Sequence, residues 1–184
     1  AHTDPLTGLL NRRSLDARTR HLTDEGASFV VAYGDLDHFK LLNDVHGHDT
    51  GDRALRLFAR VLRDSVRPND IPARYGGEEF VAVLPECSLE NAVAIIERIR
   101  TKLHDTLTDG TVPLFTVSFG LASSEPGLTF GETVDAADQA LLRAKRDGRD
   151  RIEIAGPIHA TTATLRPAAA PPTVPTESSE ATAG

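Results

Sequence analysis

Arg74-Tyr75-Gly76-Gly77-Glu78-Glu79-Phe80 stands between two apolar, strand-like runs, Ile71 to Tyr75 and Phe80 to Leu84. Two adjacent glycines at that junction predict a tight β-hairpin turn, because glycine tolerates the positive φ that such turns require. The cargo is unusual. Two consecutive carboxylates follow the turn, where an ordinary hairpin gains nothing from crowding like charges. A glycine pair also lets a bulky ligand approach the backbone without meeting a Cβ. On these seven residues alone, an acidic surface hairpin made for solubility explains the pattern equally well, so the flanking chain decides.

Just before the hairpin, Arg67-Pro68-Asn69-Asp70 breaks a long helix that runs from a turn at Gly47 to Gly51 as far as about Ser65. Its Ala54, Leu57, Phe58, Val61 and Leu62 form one buried stripe at helical spacing. Further upstream, Phe29, Val30, Val31, Ala32 and Tyr33 follow one another within Ser28 to Gly34. That run is too short for a buried helix and suits a strand covered on both faces. A short helix is expected near Asp37, which reads as its N-cap, and a first helix from about Arg12 to Leu22 with Asn11 as its cap. After the hairpin, Ser88 caps a helix to about Leu103. Phe115, Val117 and Phe119 alternate with Thr116 and Ser118, as in a strand with one buried face. A last helix spans about Thr133 to Arg146, and Arg151 to Ile154 reads as a short edge strand. The pattern predicts an α/β fold with a central mixed five-stranded sheet flanked by helices. The folded domain is expected over residues 1–155. From Gly156 the chain is Ala/Thr/Pro-rich with almost no large apolar residue, so 156–184 is expected to be a disordered tail.

The chain has 184 residues, a formal charge of -7 and one cysteine, Cys87. That length supports one domain with a sizeable core. The negative charge argues against general affinity for a nucleic-acid polymer, although a compact anion can bind through a local basic cluster or a metal. A single cysteine rules out an intrachain disulfide and a thiolate metal cluster, which fits a reducing cytosol. No apolar run approaches the length of a membrane span and no signal peptide is visible. A cytoplasmic domain without membrane contact is the expectation, even if the full-length parent is membrane-anchored. The chain starts without Met and directly in motif-like sequence, so it reads as a piece of a longer protein whose upstream sensory domain is missing.

Several residues can carry chemistry. Asp35 ends a buried strand, a frequent place for ligand-binding groups in α/β sheets. It can converge with a carboxylate beside the hairpin turn, and two or three such oxygens suit Mg²⁺, which keeps positions open for phosphate oxygens. Lys145 and Arg149 lie across the end of the last helix. They read either as cations favoured by the helix dipole or as phosphate clamps. Asn43 and Asp52 can cap locally, or together read a guanine edge. Spacing alone does not choose between these readings.

The order of motifs resembles the GGDEF domain family of diguanylate cyclases, with GGEEF as a signature variant. Asp4-Pro5-Leu6-Thr7-Gly8-Leu9 with Asn11-Arg12-Arg13 opens the match. Asp35-Leu36-Asp37-His38-Phe39-Lys40 continues to Asn43-Asp44, Gly47-His48 and Gly51-Asp52. The glycine hairpin, Thr116-Val117-Ser118-Phe119-Gly120, Ala137-Asp138, Ala144-Lys145 and Gly148-Arg149 complete it, over roughly residues 4–155. Leu142 stands where a Tyr is frequent and Asp150 where an Asn is frequent. The resemblance implies a nucleotidyl-cyclase, palm-like fold that condenses two GTP into cyclic di-GMP. Asp35, Glu78 and the Leu36 carbonyl would hold two Mg²⁺, with Mn²⁺ as a substitute. Asn43 and Asp52 would read guanine, and Phe39 would contact the substrate. Lys40, Lys145 and Arg149 would hold phosphates against Gly76 and Gly77, and Glu79 would assist catalysis. A homodimer would be needed for turnover. Arg67-x-x-Asp70, with Arg98 on the next helix, resembles the family's inhibitory product site. The competing expectation is a catalytically silent module that only binds cyclic di-GMP.

Overall fold

The computed structural model describes residues 1–157. Its centre is β2 (Phe29–Leu36), in which every residue is buried. Alternation decides which layer each side chain joins. Val30, Ala32 and Leu36 face one core with α3 (His48–Ser65) and α4 (Leu89–Leu107), while Phe29, Val31 and Tyr33 face the other with α1 (Arg12–Asp24) and α5 (Phe130–Arg146). The hairpin strands β3 (Ile71–Arg74) and β4 (Glu79–Pro85) split likewise: Phe80, Ala82 and Leu84 face one layer, Val81 and Val83 the other. The result is a sheet covered by helices on both faces, the mixed α/β sandwich expected from the order of elements.

The sheet has six strands, in the order β1-β3-β4-β2-β5-β6, with β5 spanning Val117–Ser123 and β6 Ile152–Ile154. The sequence reading anticipated five. The additional strand, β1 (Leu10–Asn11), is two residues that pair parallel with Ala73 and Arg74, too few for any periodicity to reveal. β2 runs antiparallel to both β4 and β5, whereas β5 and β6 are parallel.

Local chemistry sets most boundaries as expected. Asn11 and Ser88 accept hydrogen bonds from Ser14 N (2.9 Å) and Asn91 N (3.1 Å) as N-caps. Four expectations change. Helix α5 begins earlier, where Thr129 and Glu132 form a capping box. β5 is buried on both faces, because Ser118 is fully enclosed beneath the chain after α5. The turn before α3 is Gly47 alone (φ 87°), and Gly51 lies inside the helix. Asp37 is not a cap: α2 (Phe39–His46) starts after His38, which turns the chain sharply with φ 54° and makes no side-chain cap bond.

Candidate active site

The glycine hairpin is gripped from its own base. Arg74 donates from Nε to Gly76 O (3.2 Å) and from Nη2 to Gly77 O (2.6 Å), while its Nη1 meets both oxygens of Asp4 at 3.1 Å. Asp4 also accepts from Thr7 N (2.8 Å) and Thr7 Oγ1 (2.7 Å). Burial pushes the Asp4 carboxyl up, but the bonds from Thr7 and Arg74 outweigh it and hold the group below its usual value. The opening Asp4-Pro5-Leu6-Thr7 motif is therefore a brace for the turn, a role the sequence reading missed. Tyr75 N and Gly76 N both donate to Glu79 O, at 2.8 and 3.2 Å, and close the loop. Neither Gly76 nor Gly77 uses a positive φ, contrary to the hairpin logic above. Gly76 is glycine because a Cβ there would overlap the Glu79 carboxylate, and Gly77 faces open space.

Pairing brings the acids together. Asp35 lies opposite Glu79 on β4 and Ser118 on β5. Leu36 N donates to Glu78 O at 3.2 Å, which sets Glu78 against the end of β2. Lys145 from α5 reaches Asp35 Oδ2 at 2.8 Å. Burial pushes Asp35 up despite that cation, and burial plus the Asp35 charge push Glu78 up. Asp138 on α5 is raised by burial and by Glu79. The Tyr33 hydroxyl is pushed up by burial and then by the charges of Glu79 and Asp138. Four carboxylates thus crowd one face, and Lys145 offsets the charge felt by Asp35, Glu78 and Asp138. Crowded hard oxygens of this kind fit a small divalent cation. Among the described residues no three acidic, His or Cys side chains close a cage. Two carboxylates with a backbone carbonyl would need substrate phosphates to complete coordination, as Mg²⁺ commonly does.

A second group gathers where α2 crosses α3. Gly51 has no side chain, and a Cβ there would overlap Asn43 Oδ1 and sit 3.3 Å from the Phe39 ring. Asn43 and Phe39 therefore lie directly on the first turn of α3, beside Asp52. The Asn43 oxygen is buried without a partner, a state that favours a ligand donor. Lys40 is exposed on α2, and Arg149 follows α5 in a left-handed conformation, φ 63°.

At the opposite end of the hairpin strands, Arg67 binds Asp70 through Nη2 (2.7 Å) and Nε (3.1 Å), and Pro85 O at 2.9 Å. Arg98 donates to Ser65 O, two residues before Arg67. All three members of the expected product site thus meet at the C-terminal end of α3. A cleft of about 570 Å³ lies under α2 between Leu41, Val45, Pro113 and Leu114, and none of Asp35, Glu78, Glu79 and Asp138 lines it. Asp35 is buried, and Glu78, Glu79 and Asp138 are half-buried.

A family model described as "Diguanylate cyclase, GGDEF domain" matches residues 1–151. The chain is 44% identical over 164 residues to the diguanylate cyclase DgcP of Pseudomonas aeruginosa, covering 84% of this chain and 24% of that protein. It is 40% identical over 160 residues to the diguanylate cyclase DgcM of Escherichia coli, covering 83% of this chain and 38% of that protein. The chain therefore spans well under half the length of these curated relatives. The crystal structure of the GGDEF domain of DgcB from Caulobacter crescentus in complex with c-di-GMP superposes with a TM-score of 0.77. The identity there is 34%, covering 84% of this chain and 95% of that one. No helix among the described residues is long and apolar enough to cross a membrane. Motif order, sheet topology and these likenesses converge: the chain belongs to the GGDEF domain family of diguanylate cyclases.

Proposed function

We propose that this domain is a diguanylate cyclase of the GGEEF variant, which condenses two GTP into cyclic di-GMP and releases two pyrophosphates. The observation that carries the reading is the approach of Glu78 to Asp35 at the end of β2, beside open space at Gly77 and within reach of Lys145. Asp35, Glu78 and the Leu36 carbonyl would hold two Mg²⁺, which supply acidification of the attacking hydroxyl and neutralise the triphosphate. Lys145, Arg149 and Lys40 receive phosphate oxygens, and Gly77 lets them lie against the backbone. The Asn43 oxygen, buried and without a partner, accepts from the guanine amino group, while the neighbouring Asp52 accepts from the guanine edge. Phe39 packs against the base. Glu79 takes the proton of the 3′-hydroxyl or stabilises the charge that develops there. The 3′-oxygen forms a bond to the α-phosphorus of the other nucleotide as the bond to pyrophosphate breaks.

One domain holds one GTP, so two copies must meet face to face. Arg67, Asp70 and Arg98 form the site through which cyclic di-GMP inhibits the domain. A silent binding module would have no need of the carboxylates gathered at Asp35 and Glu78. Incubation of the protein with GTP and Mg²⁺, followed by chromatography of the nucleotides, tests the reading. Cyclic di-GMP and pyrophosphate are expected in a one-to-two ratio. No product at high protein concentration, even with the domain fused to a dimerising tag, overturns it.

A further inference from the structure

Two consecutive non-glycine residues, Arg149 and Asp150, adopt left-handed backbone conformations with φ 63° and 47°. Such a pair is disfavoured by its own sterics and persists only where surrounding contacts hold it. The contacts are on hand. Asp150 N donates to Asp37 Oδ2 and to Ser118 Oγ, both at 3.1 Å. Arg149 N donates to Ala144 O at 2.9 Å. From outside, Arg100 Nη2 reaches Asp150 O (2.6 Å) and Oδ1 (2.8 Å).

Asp37 is the hub of this arrangement. It is 5% exposed, and both its oxygens are engaged: Ser118 Oγ donates to Oδ1 at 2.7 Å and Thr116 Oγ1 to Oδ2 at 2.6 Å. The polarity is fixed, because Ser118 accepts from the Asp150 amide and so must give its own proton to Asp37. A carboxylate, which only accepts, satisfies all three donors at once. Among the described residues Asp37 makes no ion pair, so its bonds serve neutral partners whose common effect is to pin the Asp150 amide. Asp37 stands two residues beyond Asp35, and Arg149 packs back onto the turn of α5 that carries Lys145. One buried carboxylate therefore ties the strand end of one group to the loop of the other.

We propose that Asp37 is a positioning residue for Arg149: together with Ser118 it fixes the Asp150 amide and so the backbone from which the Arg149 guanidinium departs. The role in nucleotide binding rests on the reading of Arg149 as a phosphate clamp. The anchoring itself does not.

Four variants test this: Asp37→Ala, Asp37→Asn, Ser118→Ala and Arg149→Ala, with the Asp37→Ala/Arg149→Ala double. Hydrogen exchange over residues 148–151 reads the anchor, and calorimetric titration with GTP and Mg²⁺ reads the clamp. In Asp37→Ala, exchange at Asp150 N should quicken and the Kd for GTP should rise by roughly tenfold. Asp37→Asn keeps an acceptor for the amide and should recover most of both. Ser118→Ala, which removes the second acceptor with little change of shape, should move both readouts the same way and serves if Asp37→Ala does not fold. Because the two residues act in series, adding Asp37→Ala to Arg149→Ala should cost nothing further in GTP affinity. A merely structural loss would instead multiply with the arginine loss. Unchanged exchange at Asp150, or multiplicative effects in the double variant, overturns the proposal. Absence of cyclic di-GMP from the parent protein would sink the cyclase reading but leave both readouts intact.

Discussion

Glu78 shows how one side chain comes to matter. Its backbone carbonyl binds Leu36 N, so its carboxylate enters the field of Asp35; burial and the Asp35 charge push Glu78 up, and burial, with smaller contributions from Glu79 and Asp37, pushes Asp35 up. Glu78→Gln should abolish Mg²⁺-dependent turnover and also the rise in Tm that Mg²⁺ produces in the parent, measured by thermal scanning. A parent-like Mg²⁺ response in the variant would remove Glu78 from the metal site. The sign of the pH dependence follows from the same shifts. A carboxyl whose folded pKa is raised favours the folded state fully below its unfolded value, about 4, and loses that contribution as pH rises through the raised value. Without metal, stability should therefore decline across that window through Asp35 and Glu78. The Tm of Asp35→Asn relative to the parent should be more favourable at pH 7 than at pH 4. The opposite trend would contradict the crowding described here. The two acids after the glycines were legible as chemistry. Asp138 and Tyr33, which flank Glu79, were not, because nothing local marks a helix acid or a strand tyrosine as its neighbour.

The hairpin and its brace act as one element. Asp4, Thr7 and Arg74 hold the carbonyls of Gly76 and Gly77, so the turn is set by contacts from the beginning of the chain. Asp4→Ala should lower stability by about 1–3 kcal/mol, since it leaves Arg74 and the Thr7 donors without their half-buried acceptor. Chemical denaturation measures this, and a loss below a few tenths would deny the brace. Gly76→Ala should act differently. The added methyl overlaps the flexible end of Glu79 and comes to 3.3 Å of its Cβ, so the carboxylate must move while the strand gives by a few tenths of an ångström. Turnover should fall by roughly 100-fold with Tm little changed. Gly120 gives the contrasting case: its Cβ would overlap the Ala137 carbonyl and the Leu141 amide, both backbone. Gly120→Ala should therefore cost about 3 kcal/mol or more, with β5 and α5 forced apart.

At the scale of the molecule, the acids and the Arg67–Asp70–Arg98 group lie at opposite ends of β3 and β4. Those four- and seven-residue strands separate catalysis from its expected regulation. Arg67→Ala should weaken inhibition by cyclic di-GMP by roughly tenfold or more while leaving the initial rate nearly intact, since Arg67 touches none of the acids. Progress curves with added product decide this, and equal inhibition in variant and parent would reduce Arg67 to a local ion pair. The expected tail, 156–184, lies almost wholly outside the described residues.

What the sequence by itself determined is whatever short-range chemistry specifies. The helix caps Asn11 and Ser88, the buried run Phe29 to Tyr33, the stripe of α3 and the motif order were all readable, because each depends on neighbours a few positions away. Only the tertiary structure decided which polar groups meet. Asp37, read as a helix cap, is instead bound by Thr116 and Asp150, which lie 79 and 113 residues along the chain. Of the glycine pair, read as a need for positive φ, Gly76 instead makes room for the Glu79 carboxylate, three residues on, and Gly77 faces open space. Strand register and the return of the chain after α5 to the sheet create the Asp37 arrangement, and no local pattern encodes a partner that remote.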